Sequence, residues 1–357
     1  MDAVSSRSSI TLESRFIERG APVLLTGTQA LVRLLLEQAR RDSAAGLDTA
    51  GFVSGYRGSP LGGVDQELWR RRKMLEAHRI RFEPGLNEDL AATMLWGTQQ
   101  AAAFPGARHQ GVFGLWYGKG PGVDRSADAL RHGNIFGTAA LGGVVAVSGD
   151  DHAAQSSVLP HQSDLVFEAV MIPVLQPAGV DEIVPLGLAG YALSRFSGLW
   201  AGMKTIAETV EGAATLVLPE HLAFAEPSDI ARPPHGFNFD PRLQWPAQRA
   251  ELERRLVEEK LPAARAWARA NRLDRTLFGA GDAPIGIVTC GKAHLDVLRA
   301  LDDLGLGEGR AAAAGIALHK VAMSWPLETE GLRRFATGKR ALLIVEEKRS
   351  VVERQAR

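Results

Sequence analysis

From Thr28 to about Ala225, segments whose apolar residues recur at helical spacing alternate with short unbroken apolar runs. That alternation predicts an α/β fold with a mostly parallel sheet covered on both faces. Residues 29–41 place Leu31, Leu34 and Leu35 at near-helical spacing, and residues 64–75 set Leu68 and Leu75 opposite a charged side. Further helices are predicted over 88–103, 123–133 and 180–195, and strands over 51–54, 80–83, 111–116, 142–148, 171–175 and 213–218. Between 226 and 245 the periodicity lapses among Pro227, Pro233, Pro234 and Pro241, as a linker would. Residues 248–272 then read as a charged, alanine-rich helix, and 285–288, 293–304, 317–321 and 342–345 repeat the strand–helix pattern. The expected organisation is a larger α/β domain over 1–225, a Pro-rich linker and charged helix over 226–275, and a smaller α/β domain over 276–357. The chain stops just after the strand-like run 341–345, so the last domain is expected to be truncated.

Composition narrows the function classes. With 41 basic and 41 acidic residues the formal net charge is zero, and no basic stripe interleaved with aromatics marks a nucleic-acid surface. Cys290 is the single cysteine, which excludes an internal disulfide, a Cys-rich zinc site and a cysteine-ligated iron–sulfur cluster within this chain. The polar N-terminus argues against secretion and no apolar run reaches spanning length, so a cytoplasmic location and no membrane partner are expected.

Four segments carry candidate chemistry. Ser54-Gly55-Tyr56-Arg57-Gly58-Ser59-Pro60-Leu61-Gly62-Gly63 joins a strand to a helix, yet its glycines match neither the dinucleotide-binding nor the P-loop spacing. It is a tight turn shaped by Pro60 or a ligand loop. Gly85-Leu86-Asn87-Glu88-Asp89 opens a helix: Asn87 is a good N-cap, and carboxylates here suit the positive helix end. The small apolar residues after Glu88 would also partly desolvate its carboxylate, as acid–base chemistry requires. Gly118-Lys119-Gly120-Pro121-Gly122 fails as a P-loop, because Phe113 and Gly120 stand where glycine and Ser or Thr belong. It reads as a capped strand-to-helix loop with Asp124 or Ser126 as cap, in which Lys119 is the residue a loop does not need. Gly149-Asp150-Asp151-His152-Ala153-Ala154-Gln155-Ser156 follows the strongest strand, where open α/β sheets bind ligands. Consecutive residues rarely converge on one ion, so substrate contacts or a structural turn are preferred to a metal there. His161 is assigned to the cap region of the following helix, and Cys290 to a small buried hydrophobe.

Together these segments, with Gly286-Ile287-Val288-Thr289-Cys290-Gly291-Lys292 and Val345-Glu346-Glu347-Lys348-Arg349, resemble the N-terminal part of the indolepyruvate:ferredoxin oxidoreductase family. That family belongs to the thiamine-diphosphate-dependent 2-oxoacid:ferredoxin oxidoreductases. The resemblance implies a pyrimidine-binding domain followed by a transketolase-C-terminal-like domain. It implies that Glu88 hydrogen-bonds N1′ of the thiamine aminopyrimidine and activates the cofactor. Tyr56, Gly58, Ser59 and Pro60 correspond to the family's cofactor loop, with Ser59 near the substrate carboxylate. Arg57, Lys119, Asp151, His152 and Ser156 are carried over as substrate-rim residues.

The resemblance further implies oxidative decarboxylation of an aryl 2-oxoacid to an acyl-coenzyme A, with electrons passing to ferredoxin or a similar carrier, in a homodimer. The family's Mg²⁺-diphosphate motif, Gly-Asp-Gly with a later asparagine, is missing: none of Asn87, Asn134, Asn238 and Asn271 stands at its spacing after Gly149-Asp150 or Gly281-Asp282. No metal site is therefore expected in this chain. Mg²⁺, the diphosphate site and the iron–sulfur clusters are expected in a domain downstream or in another subunit. Two alternatives stand beside this reading, another thiamine-dependent 2-oxoacid decarboxylase or dehydrogenase component and a non-catalytic α/β partner subunit.

Overall fold

A computed structural model describes residues 11–357 apart from positions 156, 220, 221 and 280. The first part of the chain forms strands β1 (Val23–Thr26), β2 (Thr49–Gly55), β3 (Ile80–Phe82), β4 (Gly111–Lys119), β5 (Val144–Asp150), β6 (Val174–Leu175), β7 (Ala201–Ile206) and β8 (Ala213–Leu216). The later strands are β9 (Arg275–Phe278), β10 (Ile285–Cys290), β11 (Ile316–Val321), β12 (Met323–Trp325) and β13 (Ala341–Val345). A seven-stranded sheet has the order β12-β6-β7-β5-β4-β2-β3, parallel throughout except for β12. A four-stranded sheet has the order β13-β10-β11-β9, with only β9 antiparallel.

The expected α/β architecture is present, and its departures from the predicted elements have local causes. The strand predicted over 171–175 shrinks to Val174–Leu175, because Met171 adopts φ 60° and Pro173 has no N–H for a ladder. Residues 213–216 lie outside the parallel sheet and pair antiparallel with β1. The helix predicted over 64–75 is two helices, Gly62–Arg70 and Arg72–Ala77, and that predicted over 123–133 begins three residues earlier, at Gly120. The sequence pattern misses β7 altogether. Its Ala-Gly-Met-Lys-Thr-Ile has no apolar run, yet all six residues are buried, with Lys204 paired to Asp164 at 3.0 Å. The described residues of 217–247 carry no helix or strand.

Two apolar layers clothe the large sheet. On one face the Gly27–Ala44 and Val180–Ser197 helices cover Val53, Leu115, Val145 and Met203. The first of these helices is fixed at its start by a reciprocal cap between Thr26 and Gln29, each bond 3.2 Å. On the other face the Glu88–Gln100 and Gly120–Phe136 helices pack with Trp116, Val144, Ala146 and Trp200. Among the described residues no helix is long and apolar enough to cross a membrane.

The chain crosses from the small sheet to the large one between β11 and β12. Asp274 pins this crossover, its Oδ1 accepting the N–H groups of Ala322 at 2.7 Å and Met323 at 3.1 Å. Its Oδ2 is buried without a partner among the described residues. Burial outweighs the two backbone donors and pushes the carboxyl up to about 7. Because this lies above the ordinary 3.8, the stability Asp274 lends is fully present below that pH and is lost as pH rises through about 7. Asp274→Asn keeps the accepting oxygen and removes the charge. We predict that it raises stability over the wild type by on the order of 1–3 kcal/mol at pH 8, and by less at pH 5, in urea unfolding at the two pH values.

Candidate active site

The parallel strands of the large sheet end on one edge, and three of the four candidate segments meet there. β2 runs into the turn Tyr56-Arg57-Gly58-Ser59-Pro60. Tyr56 N–H donates to the Tyr117 carbonyl at 3.2 Å, and Gly85 N–H donates to the Gly55 carbonyl at 2.9 Å, tying the turn to β4 and to the approach of the Glu88 helix. Pro60 and Leu61 fold inward over the end of β5, where a methyl group on Gly149 would fall 2.6 Å from Leu61 Cγ. Tyr56 and Arg57 stay exposed. The aliphatic stem of Lys119 lies along Gly58, where an added Cβ would fall 2.7 Å from Lys119 Cδ. Neither Arg57 nor Lys119 has a carboxylate partner among the described residues. Two uncompensated cations thus flank one turn.

Glu88 is the first residue of its helix, and the duties of that position are met by its neighbours. Asn87 Oδ1 accepts the Leu90 N–H at 2.9 Å, and Asp89, largely outside, faces Arg125 at 3.5 Å. Glu88 is turned inward and only 7 % exposed. Its carbonyl accepts the buried Trp116 indole N–H at 2.9 Å, while its carboxylate receives no hydrogen bond from the described residues. The carboxylate rests on Gly122, where an added Cβ would sit 2.6 Å from Oε1 and 2.8 Å from Cδ. β4 passes into the Gly120–Phe136 helix with no intervening loop, and Pro121 suits its first turn because it lacks an N–H. Contrary to the sequence expectation, neither Asp124 nor Ser126 caps this helix; Lys119 occupies the cap position and the helix begins too early for them.

The loop after β5 is built mainly for its own shape. Asp150 is fully buried and accepts Ser163 N–H at 2.8 Å and the Ser163 hydroxyl. Asp151 accepts the N–H groups of Gln155 at 3.0 Å and Ser157 at 3.1 Å, closing the loop on itself. His152 stands between Asp150, 3.9 Å away, and Glu347, 3.4 Å away. Ser156 lies outside the described residues. His161 does not cap the following helix; its Nε2 reaches Asp124 Oδ2 at 2.7 Å.

Sequence reasoning did not find what holds this loop. Gln162 exchanges hydrogen bonds with the Arg349 backbone, Nε2 to the carbonyl at 2.8 Å and Oε1 from the N–H at 3.0 Å, and Lys348 Nζ donates to the His152 carbonyl at 3.0 Å. Burial alone would raise the Glu347 carboxyl, but His152, Lys204 and Lys292 outweigh it and hold it below the usual range. Both ends of the loop therefore hang from residues 347–349, just past β13. Nearby Cys290 is buried and burial pushes its thiol up, which makes it inert, as the buried-hydrophobe reading expected.

With this geometry in view, comparisons with known proteins point in one direction. Residues 275–357 match the family described as "Indolepyruvate oxidoreductase domain". The indolepyruvate oxidoreductase subunit IorA of Methanothermobacter thermautotrophicus is 25 % identical over 338 residues, covering 94 % of this chain and 48 % of that protein. The IorA subunit of Pyrococcus abyssi is 24 % identical over 345 residues, 95 % of this chain and 47 % of that protein. The 2-oxoglutarate:ferredoxin oxidoreductase of Magnetococcus marinus superposes with a TM-score of 0.62 at 15 % identity, over 90 % of this chain and 57 % of that one. Along most of its length the chain is similar to proteins of the thiamine-diphosphate-dependent 2-oxoacid:ferredoxin oxidoreductase type. It spans about half the length of the curated relatives it matches. The succession of a pyrimidine-type and a transketolase-C-terminal-like α/β unit is the architecture of that oxidoreductase fold.

The clamp on the loop after β5 gives a direct test. Gln162→Ala removes bonds to both backbone groups of Arg349, and we predict a local loss of about 1–3 kcal/mol. Amide hydrogen exchange over residues 151–162 should quicken by about tenfold or more, while β4 and β5 keep their protection.

Proposed function

We propose that this chain supplies the pyrimidine-side half of the active site of a 2-oxoacid:ferredoxin-type oxidoreductase. The substrate is an indolepyruvate-like aryl 2-oxoacid, oxidatively decarboxylated to an acyl-coenzyme A with electrons passed to ferredoxin or a similar carrier. The aryl side chain is taken from the names of the relatives. The observation that carries the reading is Glu88, a residue only 7 % exposed whose carboxylate has no hydrogen-bond partner among the described residues, seated in a space that Gly122 keeps open. A group with a ring nitrogen able to share a proton fits there, and the aminopyrimidine of thiamine diphosphate is such a group. When bound, that cofactor supplies a carbon nucleophile and an electron sink.

This chain's residues would then do three things. Glu88 holds a proton between its carboxylate and the ring nitrogen, which favours the basic form of the exocyclic amine. The Tyr56–Pro60 turn forms the wall beside the cofactor, with the Ser59 hydroxyl facing substrate. Arg57 and Lys119 take the substrate's carboxylate, and their lack of a carboxylate partner among the described residues supports this role. Asp151 and His152 shape the rim. The domain limits proposed are 1–225, 226–275 and 276–357, with diphosphate, Mg²⁺ and clusters held by a further domain or subunit and the enzyme working as a dimer in the cytoplasm.

In the assembled enzyme, Glu88→Gln should cut turnover about 10²–10⁴-fold with an unchanged unfolding midpoint. Near-wild-type turnover would leave a partner-subunit role as the better reading, and release of free aldehyde in place of the coenzyme A thioester would point to a decarboxylase. Lys119→Met should raise KM for indole-3-pyruvate about tenfold or more while changing kcat far less, in steady-state kinetics against the 2-oxoacid.

A further inference from the structure

The small unit carries a cleft of about 710 Å³ that the proposed reaction leaves unused. Arg272 and Arg275 line it from the β9 side, and Arg334 and Lys339 line it from the Thr329–Ala336 helix and the turn after that helix. Its base is made by Ala317 and His319 of β11 and by Phe335 of the same helix, all buried. The His319 ring stacks on Phe335 with centroids 4.9 Å apart, and burial holds the imidazole down to about 4. Near neutral pH the base of the cleft is therefore uncharged, while its rim carries four cations.

The protein does not neutralise that rim. Where arginines crowd elsewhere, over residues 70–81, Arg70, Arg72, Arg79 and Arg81 have carboxylates at 2.6, 2.8, 2.6 and 2.8 Å. Around the cleft, Arg272, Arg334 and Lys339 have no carboxylate partner among the described residues. Lys339 Nζ donates to the Gly281 carbonyl at 3.2 Å and lies 4.6 Å from the Phe335 ring centre, contacts that leave its charge in place. Arg275 stands 3.7 Å from Glu182, whose carboxylate is already taken by Lys320. The one carboxyl group among the described lining residues is that of Asp274; it is turned to the amides of the crossover, and burial holds it up to about 7, so it opposes the cations weakly. Four cations on one concave surface repel one another and focus a positive potential into it, which an anion relieves.

We infer that this cleft binds a nucleoside diphosphate, its phosphates held by Arg272, Arg275, Arg334 and Lys339 and its organic part set against the uncharged base. Guanidinium forks grip phosphate oxygens in pairs, and arginine supplies three of the four rim charges. The volume falls in the range that encloses an organic ligand, about 300–1,000 Å³, and is more than an inorganic ion would fill. The site uses none of the residues proposed for the oxidoreductase chemistry, so either reading can fail without the other.

Calorimetric titration of the chain with ADP should show one binding site. Arg334→Glu and Lys339→Glu should each weaken it about tenfold or more at an unchanged unfolding midpoint. Arg333→Glu makes the same charge change on an exposed neighbour outside the cleft, and should alter affinity by less than about twofold in ordinary salt. Lys119→Met should bind ADP as the wild type does, and adenosine and inorganic pyrophosphate should each bind far more weakly than ADP. Independently of any variant, raising sodium chloride from about 50 to about 300 mM should weaken ADP binding several-fold. The inference is overturned by the absence of binding at millimolar ADP or by an affinity that salt does not change. Equal losses in Arg333→Glu and Arg334→Glu, pyrophosphate binding as tightly as ADP, or loss of ADP binding in Lys119→Met overturn it as well.

Discussion

Glu88 is turned inward at 7 % exposure with no hydrogen bond to its carboxylate from the described residues, and an inward-turned charge is unfavourable unless something compensates it. Much of the surrounding edge makes sense as a device that tolerates this cost. Asn87 takes over the capping and Asp89 faces solvent, so nothing at the helix start needs Glu88. The Trp116 indole holds the Glu88 backbone, fixing the side chain's origin without neutralising its charge. Gly122 removes the one atom that would displace the carboxylate. A carboxylate kept this way is open to a ligand able to share a proton with it.

The same edge is held from a distance. Residues 347–349, beyond the last strand of the small sheet, carry both ends of the loop after β5 through His152 and Gln162. Asp274 fastens the crossover that lets β12 join the large sheet, and Lys320 reaches Glu182 across the same junction. Because these contacts converge, the small unit sets the height of the rim over the strand ends. Loosening it would be felt at the loop before the core strands, which are buried on both faces.

How legible this was in the sequence depended on the range of the interaction. Unbroken apolar runs marked β2, β4 and β5, and glycine-rich breaks marked the loops at their ends, because both signals are local. β7 was hidden since its burial is partly polar: Lys204 is tolerated inside only because Asp164, forty residues away, sits beside it. In the site, Tyr56–Pro60, Glu88 and Lys119 could be singled out from motif context. The loop's supports could not, for Gln162 and Arg349 are separated by 187 positions, and Asp124 and His161 by 37. Asp124 and His161 each had a sufficient local explanation as caps, and only the three-dimensional pairing removes it.

The small unit's side chains also limit what it can contribute. Burial pushes His294 and His319 down to about 4, so both are neutral at physiological pH. His294 shares a hydrogen bond with Thr289 at 2.9 Å, and His319 stacks on Phe335 with ring centroids 4.9 Å apart. The Cys290 thiol is raised by the same burial and is a poor nucleophile. These three groups serve packing, and those of the unit that reach the rim, Glu347, Lys348 and Arg349, are engaged in holding the loop. The group proposed for acid–base work thus lies at the edge of the large sheet, while the small unit's side chains at the rim hold the loop in place.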